Sequence, residues 1–152
     1  MTGSESEHAS AEEVRNLKAV ERWGDLYNND VHTMVTECYH PDFVVEIKGI
    51  MTYRGYETFH ALEAGTLEVA PSRRAESERI IPLGDQVLIQ GNLADPDKGP
   101  DWRTPFCTIL TLRDGLIIRD ETYMDLTSWP APRLSPEQVG SLDIELARPV
   151  EG

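Results

Sequence analysis

The stretch Asp101–Trp129, DWRTPFCTILTLRDGLIIRDETYMDLTSW, decides the fold. Two runs rich in β-branched and aromatic residues, about 102–112 and 116–126, flank Arg113-Asp114-Gly115. An Asp-Gly pair between apolar runs predicts a hairpin, because glycine supplies the positive φ that a tight turn needs. Side chains alternate faces along a strand. Ile117, Arg119, Glu121, Tyr123 and Asp125 therefore share one side of the second strand, and Leu116, Ile118, Asp120, Thr122 and Met124 the other. An acid, a phenol and a second acid in succession are unusual on a purely structural face. That face is the first place to look for chemistry.

Upstream of the hairpin the sequence predicts a strand over Arg73–Pro82, a turn at Leu83-Gly84-Asp85 and a strand over Gln86–Ala94. Asp95–Pro100 reads as a loop. Nearer the start, Ser10 and Glu13 fit a capping box. Val14, Leu17, Val20, Gly24 and Tyr27 then recur at helical spacing, predicting a helix over about 11–28. Asp30 caps a shorter helix in which Val31, Met34, Val35 and Cys38 form the apolar face. His40-Pro41 closes that helix, since the residue before proline is pushed out of helical angles. Phe43–Lys48 reads as a strand, Gly49–Gly55 as a connection, and 56–69 as a third helix with Phe59, Leu62, Thr66 and Val69 on one face. The order predicts one α+β domain over 11–129, three helices packed on a curved, mainly antiparallel sheet. Residues 1–10 are expected to be disordered, and 130–152 to form a tail with one short helix opening at Ser135-Pro136.

Composition narrows the function. A net charge of −13 argues against nucleic acid and anionic membranes, both of which favour basic surfaces. No run approaches the ~18 apolar residues of a membrane helix. The first ten residues, MTGSESEHAS, are acidic and polar, unlike a signal peptide. With Cys38 and Cys107 as the two cysteines, reduced thiols in a cytoplasm are expected. His8, His32, His40 and His60 show no metal-ligand spacing, and there is no CxxC, no G-x-S-x-G and no glycine-rich phosphate loop. No metal and no cofactor are therefore expected.

LYNNDVHTMVTECYHPDFVVE at 26–46, YRGYETF at 53–59 and RDETYMD at 119–125 together resemble the nuclear transport factor 2-like superfamily. Within it they resemble the SnoaL-like polyketide cyclase and ketosteroid isomerase-like branch. The resemblance spans about 11–129 and implies a cone-shaped (cystatin-like) barrel around an apolar pocket, dimeric through the outer sheet face. Such cones host isomerases, cyclases, epoxide hydrolases, carriers and interaction modules. The isomerase acid of the first strand falls on Ile47, beside Glu46; its helix tyrosine falls near Trp23, and its second oxyanion donor near Thr108. The chain departs from the isomerase at all three. The epoxide hydrolase Arg-x-Asp is absent from LIQGNLAD at 88–95, although Glu121 falls near that family's last Asp. The polyketide cyclase pattern, a pocket carboxylate and little else, accommodates the sequence best.

Glu121 is the first candidate base, since burial in a cone would raise its pKa toward the range useful for proton transfer. The alternative places its face in solvent or a dimer contact, paired with Arg119. Tyr123 is a candidate oxyanion donor and His60 a candidate proton shuttle. Trp23, Tyr27, Tyr53, Trp102, Phe106, Thr108 and Asp125 are candidate substrate contacts. The expected function is a cofactor-free isomerase, cyclase, dehydratase or related lyase acting on a hydrophobic oxygenated small molecule. A carrier and an interaction domain of the same fold are the rivals, and a homodimer is the expected assembly.

Overall fold

The computed structural model describes residues 9–147, so the segments 1–8 and 148–152 of the predicted disordered start and tail lie outside the described residues. Helix α1 (Ala11–Asn29) opens on the predicted capping box. Ser10 Oγ accepts from the Glu13 N–H at 3.1 Å, and Glu13 accepts from the Ser10 N–H at 3.0 Å. Asp30 ends α1 and caps α2 (Val31–Cys38), accepting from the Thr33 N–H. Val31, Met34, Val35 and Cys38 are all buried. Strand β1 (Tyr39–Ile47) begins four residues before the predicted strand, because Pro41 imposes extended backbone on His40 as well as ending the helix. The predicted connection at 49–55 contains a further strand, β2 (Met51–Arg54). Helix α3 (Tyr56–Val69) follows, then β3 (Arg74–Leu83), β4 (Gln86–Ala94), a 3₁₀ turn at Pro96–Lys98, β5 (Arg103–Arg113) and β6 (Leu116–Met124).

The predicted tail is not outside the fold. Helix α4 (Pro136–Ser141) starts at the Ser135 cap, and β7 (Ile144–Leu146) pairs antiparallel with β2. Among the described residues there are thus four α-helices rather than three. The seven strands form one sheet in the order β3-β4-β5-β6-β1-β2-β7, antiparallel except for the β1–β6 pair. The first and last strands of this order, β3 and β7, do not pair with each other, so the expected cone is formed by an unclosed sheet. Its inner face packs on α1–α3 through a core that includes Tyr39, Phe43 and Phe59, whose ring centroids lie 4.8–5.5 Å apart.

Two of the sheet's three register irregularities bear on the site. Glu78 is an extra residue in β3 opposite β4, and beside it Gly91 lies so close to β3 that a Cβ would fall 2.2 Å from the Glu76 carbonyl oxygen. Only glycine admits that approach. The second lies in the deciding hairpin. Asp114 and Gly115 have φ of 53° and 80°, as a two-residue hairpin turn demands. Leu116 and Ile117 then pair with Arg113 and Leu112, but Arg119 pairs with Thr111, which leaves Ile118 as a bulge. One extra residue exchanges the faces of everything beyond it. In a regular hairpin Thr108 would face Glu121; here it faces Thr122, and Asp120 lies opposite Leu110.

Candidate functional site

The inner faces of β1, β2, β4, β5 and β6 and the helices enclose a largely apolar cavity of ≈ 150 Å³. Ile117, Asp120 and Thr122 are buried on this side of β6, at 1%, 5% and 8% exposure. Asp120 lines the cavity and is the centre of a hydrogen-bonded chain. The Tyr39 hydroxyl donates to Asp120 Oδ2 at 2.6 Å and accepts from Trp23 Nε1 at 3.1 Å. The Thr122 hydroxyl donates to Asp120 Oδ1 at 2.7 Å and stands 2.9 Å from the Thr108 hydroxyl across the hairpin. Burial pushes the Asp120 carboxyl up to about 6, against the pull of the Tyr39 and Thr122 hydrogen bonds. Burial, the Asp120 charge and its hydrogen bond raise the Tyr39 phenol well above its usual range. Tyr39 is therefore a neutral donor to the carboxylate.

A second polar group enters the cavity from α3. Glu63 lies four residues after Phe59 and so on the same inward face, and it accepts from Arg73 Nη2 at 2.9 Å. Burial pushes the Glu63 carboxyl up, against the opposing pull of Arg73. The Arg73 guanidinium also lies over the Tyr27 ring, 4.3 Å from its centroid.

Five of the predicted contacts line the cavity: Trp23, Tyr27, Tyr53, Phe106 and Thr108. Trp102 stands outside it, with Lys98 Nζ 4.4 Å from its ring centroid. Asp125 caps the turn after β6, accepting from the Thr127 N–H and hydroxyl and from the Ser128 hydroxyl. Its hydrogen bonds hold its carboxyl below the usual range.

The expectation that the Glu121 face points into the cone is corrected, because the bulge at Ile118 turns that face outward. Glu121 Oε1 accepts from Arg119 Nε at 2.8 Å, and Oε2 lies 3.4 Å from Lys48 Nζ, which also pairs with Glu46. Partial burial pushes the Glu121 carboxyl up, but Arg119 and Lys48 pull it below its ordinary value. Tyr123 is 49% exposed on the same outer face. His60 sits at the α2–α3 contact, its Nδ1 2.7 Å from His32 Nδ1, and does not line the cavity. Burial and then His32 lower its pKa. The sequence reading named none of Tyr39, Glu63, Asp120 and Thr122 as site residues.

The profile of the SnoaL-like domain family matches residues 20–120. The chain belongs to this family, within the nuclear transport factor 2-like superfamily expected from its motifs. A solved candidate SnoaL-like polyketide cyclase from Jannaschia sp. CCS1 is 25% identical, with a TM-score of 0.69 over 82% of this chain and 98% of that one. An LEH-like epoxide hydrolase from M. tuberculosis is 24% identical, with a TM-score of 0.62 over 78% and 88%. A protein of ketosteroid isomerase-like fold from Catenulispora acidiphila, solved with trimethylamine, is 20% identical, with a TM-score of 0.64 over 74% and 88%. The last two are likenesses of fold. No curated protein matches the chain. Among the described residues, no helix of this SnoaL-like domain is long and apolar enough to cross a membrane. Nor do three or more His, Cys, Asp or Glu side chains gather there in a way that could hold a metal ion.

Within the SnoaL-like cavity, Tyr39→Phe tests the wiring of the carboxyl. The change removes a donor that favours ionised Asp120, so the Asp120 pKa should rise above its wild-type value. Stability should fall by about 1–3 kcal/mol, because the Trp23 N–H loses its acceptor in the core. A carbon-detected NMR titration of the Asp120 carboxyl reads the shift. An unchanged or lower midpoint would break the assigned link.

Proposed function

We propose that this SnoaL-like domain is a cofactor-free acid–base enzyme. Asp120 exchanges a proton with a hydrophobic, oxygenated small molecule held in the cavity. The reading rests on one observation: a single carboxyl of β6 lies in an apolar cavity wall, and its burial pushes it to about 6. A general base works best when its pKa lies near the operating pH. Here an enclosed carboxylate is ionised at neutral pH and basic enough to take a proton from carbon beside a carbonyl. Thr122 and Tyr39 hold it in place, each bonded to one oxygen. The candidate polyketide cyclase among the structural neighbours supports the same class of step. Isomerisation, intramolecular cyclisation, dehydration or a related lyase step fits this apparatus. The outer face of β4–β6, with half-exposed Tyr123, is where a homodimer would form.

The direct test is deuterium wash-in. The protein is incubated in heavy water with single-ring enolisable ketones, and exchange is followed by mass spectrometry from pH 4.5 to 8. Exchange should rise with pH and level off, with a midpoint near 6. A profile that is flat over this range, or centred near the ordinary carboxylate value, would remove Asp120 as the base.

One observation favours a second reading, a non-catalytic carrier: both Asp120 oxygens are already engaged by protein donors, as in a structural network. That reading requires saturable ligand binding with no exchange at any pH. The interaction-domain reading required a cone plugged by side chains, and the cavity counts against it.

A further inference from the structure

Besides Asp120, the cavity holds polar groups that the acid–base reading leaves unused. Tyr53 projects from β2 opposite Val45, lines the cavity and is 5% exposed. No hydrogen bond acts on its hydroxyl among the described residues. Burial, then the Glu63 and Asp120 charges, keep that phenol well above its ordinary range, so it remains an O–H donor. Glu63 supplies the complementary acceptor. Arg73 reaches it through one nitrogen, Nη2 to Oε2, while Arg73 Nε is buried without an acceptor. The pair is a single-point contact rather than a closed fork, so Glu63 Oε1 remains available to a ligand.

We infer that Tyr53 and Glu63 form a subsite for a hydroxyl group on the ring of a substrate seated inside the cavity, separate from the proton-transfer carboxyl. A hydroxyl both accepts and donates, so it satisfies the Tyr53 O–H and the Glu63 carboxylate together. A ketone oxygen serves only Tyr53, and a hydrocarbon serves neither. Buried groups left without a partner are what make such sites selective. Size follows from volume: an interior of ≈ 150 Å³ takes a ring on the order of benzene, which is the part of the ligand seated inside. The inference deepens the acid–base reading and rests on it only for which end of the ligand faces Asp120.

The experiment titrates cyclohexanol, cyclohexanone and methylcyclohexane into the full chain and follows the indole N–H signal of Trp23, which lines the cavity. Cyclohexanol should bind about tenfold more tightly than cyclohexanone, the effect of one well-made buried hydrogen bond, and more tightly still than methylcyclohexane, which makes neither contact. Tyr53→Phe removes an oxygen that bonds to no protein group, so the fold should be kept while cyclohexanol, left with the Glu63 acceptor alone, loses about tenfold and methylcyclohexane is unchanged. Glu63→Gln keeps the shape with a weaker acceptor and should lose several-fold for cyclohexanol alone. Unaltered cyclohexanol binding in Tyr53→Phe, or no saturable binding of cyclohexanol by wild type, overturns the inference. Asp120→Asn separates the two readings. If the variant keeps the hydroxyl preference and loses proton exchange, both stand; if it keeps both, only the acid–base reading falls. If the hydroxyl preference disappears, Asp120 is itself the hydroxyl reader and the subsite is wrong.

Discussion

Asp120→Asn is expected to slow deuterium exchange into a bound ketone by about 10²–10⁴-fold, the usual contribution of a positioned proton-transfer group. Glu121→Gln should leave the rate within about twofold. The two acids are neighbours in sequence and both lie on β6, yet their surroundings push them in opposite directions. Asp120 faces the cavity, where burial raises its pKa and preserves basicity. Glu121 faces outward between Arg119 and Lys48, which hold it ionised and weaken it as a base. Asparagine keeps the size of aspartate and can still accept from the Tyr39 hydroxyl, so the loss would report the missing base rather than a collapsed wall. The measurement is the initial exchange rate at pH 7.5 for wild type and both variants, with folding checked by near-UV circular dichroism. A larger loss in Glu121→Gln than in Asp120→Asn would return the role to the outer face.

That pair of outcomes also shows where the sequence stops being readable. Local signals placed most elements: the capping box at Ser10, the Asp30 cap, the 56–69 helix and the Gln86–Ala94 strand all recur in the structure. Each depends on residues a few positions apart, so spacing alone carries it. Thr108 and Phe106 were placed on one face of β5, and both line the cavity. The face of β6 was the failure. A two-residue Asp-Gly turn sets a register, and strict alternation then places Glu121 beside Thr108. The bulge at Ile118 adds one residue and substitutes Thr122. Nothing in LIIRDETY announces a bulge, because a bulge is set by how the sheet must bend around its core. Strand β2 escaped for a related reason: four residues flanked by glycines have little pattern of their own, and their pairing with β1 and β7 defines them. Glu63 was legible in principle, since an acid four residues after Phe59 interrupts an apolar helix face.

The second large effect is on stability, and it runs against intuition: Asp120→Asn should make the protein more stable at neutral pH. Folding moves the Asp120 pKa from 3.8 to about 6. Below pH 4 the carboxyl is protonated in both states and contributes no difference. Between pH 4 and pH 6 the unfolded chain releases its proton while the folded chain keeps it, so stability falls as pH rises. Above pH 7 the folded protein carries a buried carboxylate at the full penalty. A displacement of this size corresponds to about 3 kcal/mol at 1.36 kcal/mol per unit. Asparagine has no charge to bury, although its bond from Tyr39 is weaker than a carboxylate's. A net gain of about 1–3 kcal/mol at pH 8, vanishing below pH 4, is therefore expected. Urea midpoints for the two chains should be compared at several pH values, because Glu13, Asp30 and Asp125 have lowered pKa values and act in the opposite direction. Subtracting the two curves cancels those groups and isolates Asp120. A difference that does not change with pH would mean that this carboxyl does not titrate as a buried group. A gain that grows from pH 4 to 7 would identify a position where stability has been given up for a basic carboxylate in an apolar wall.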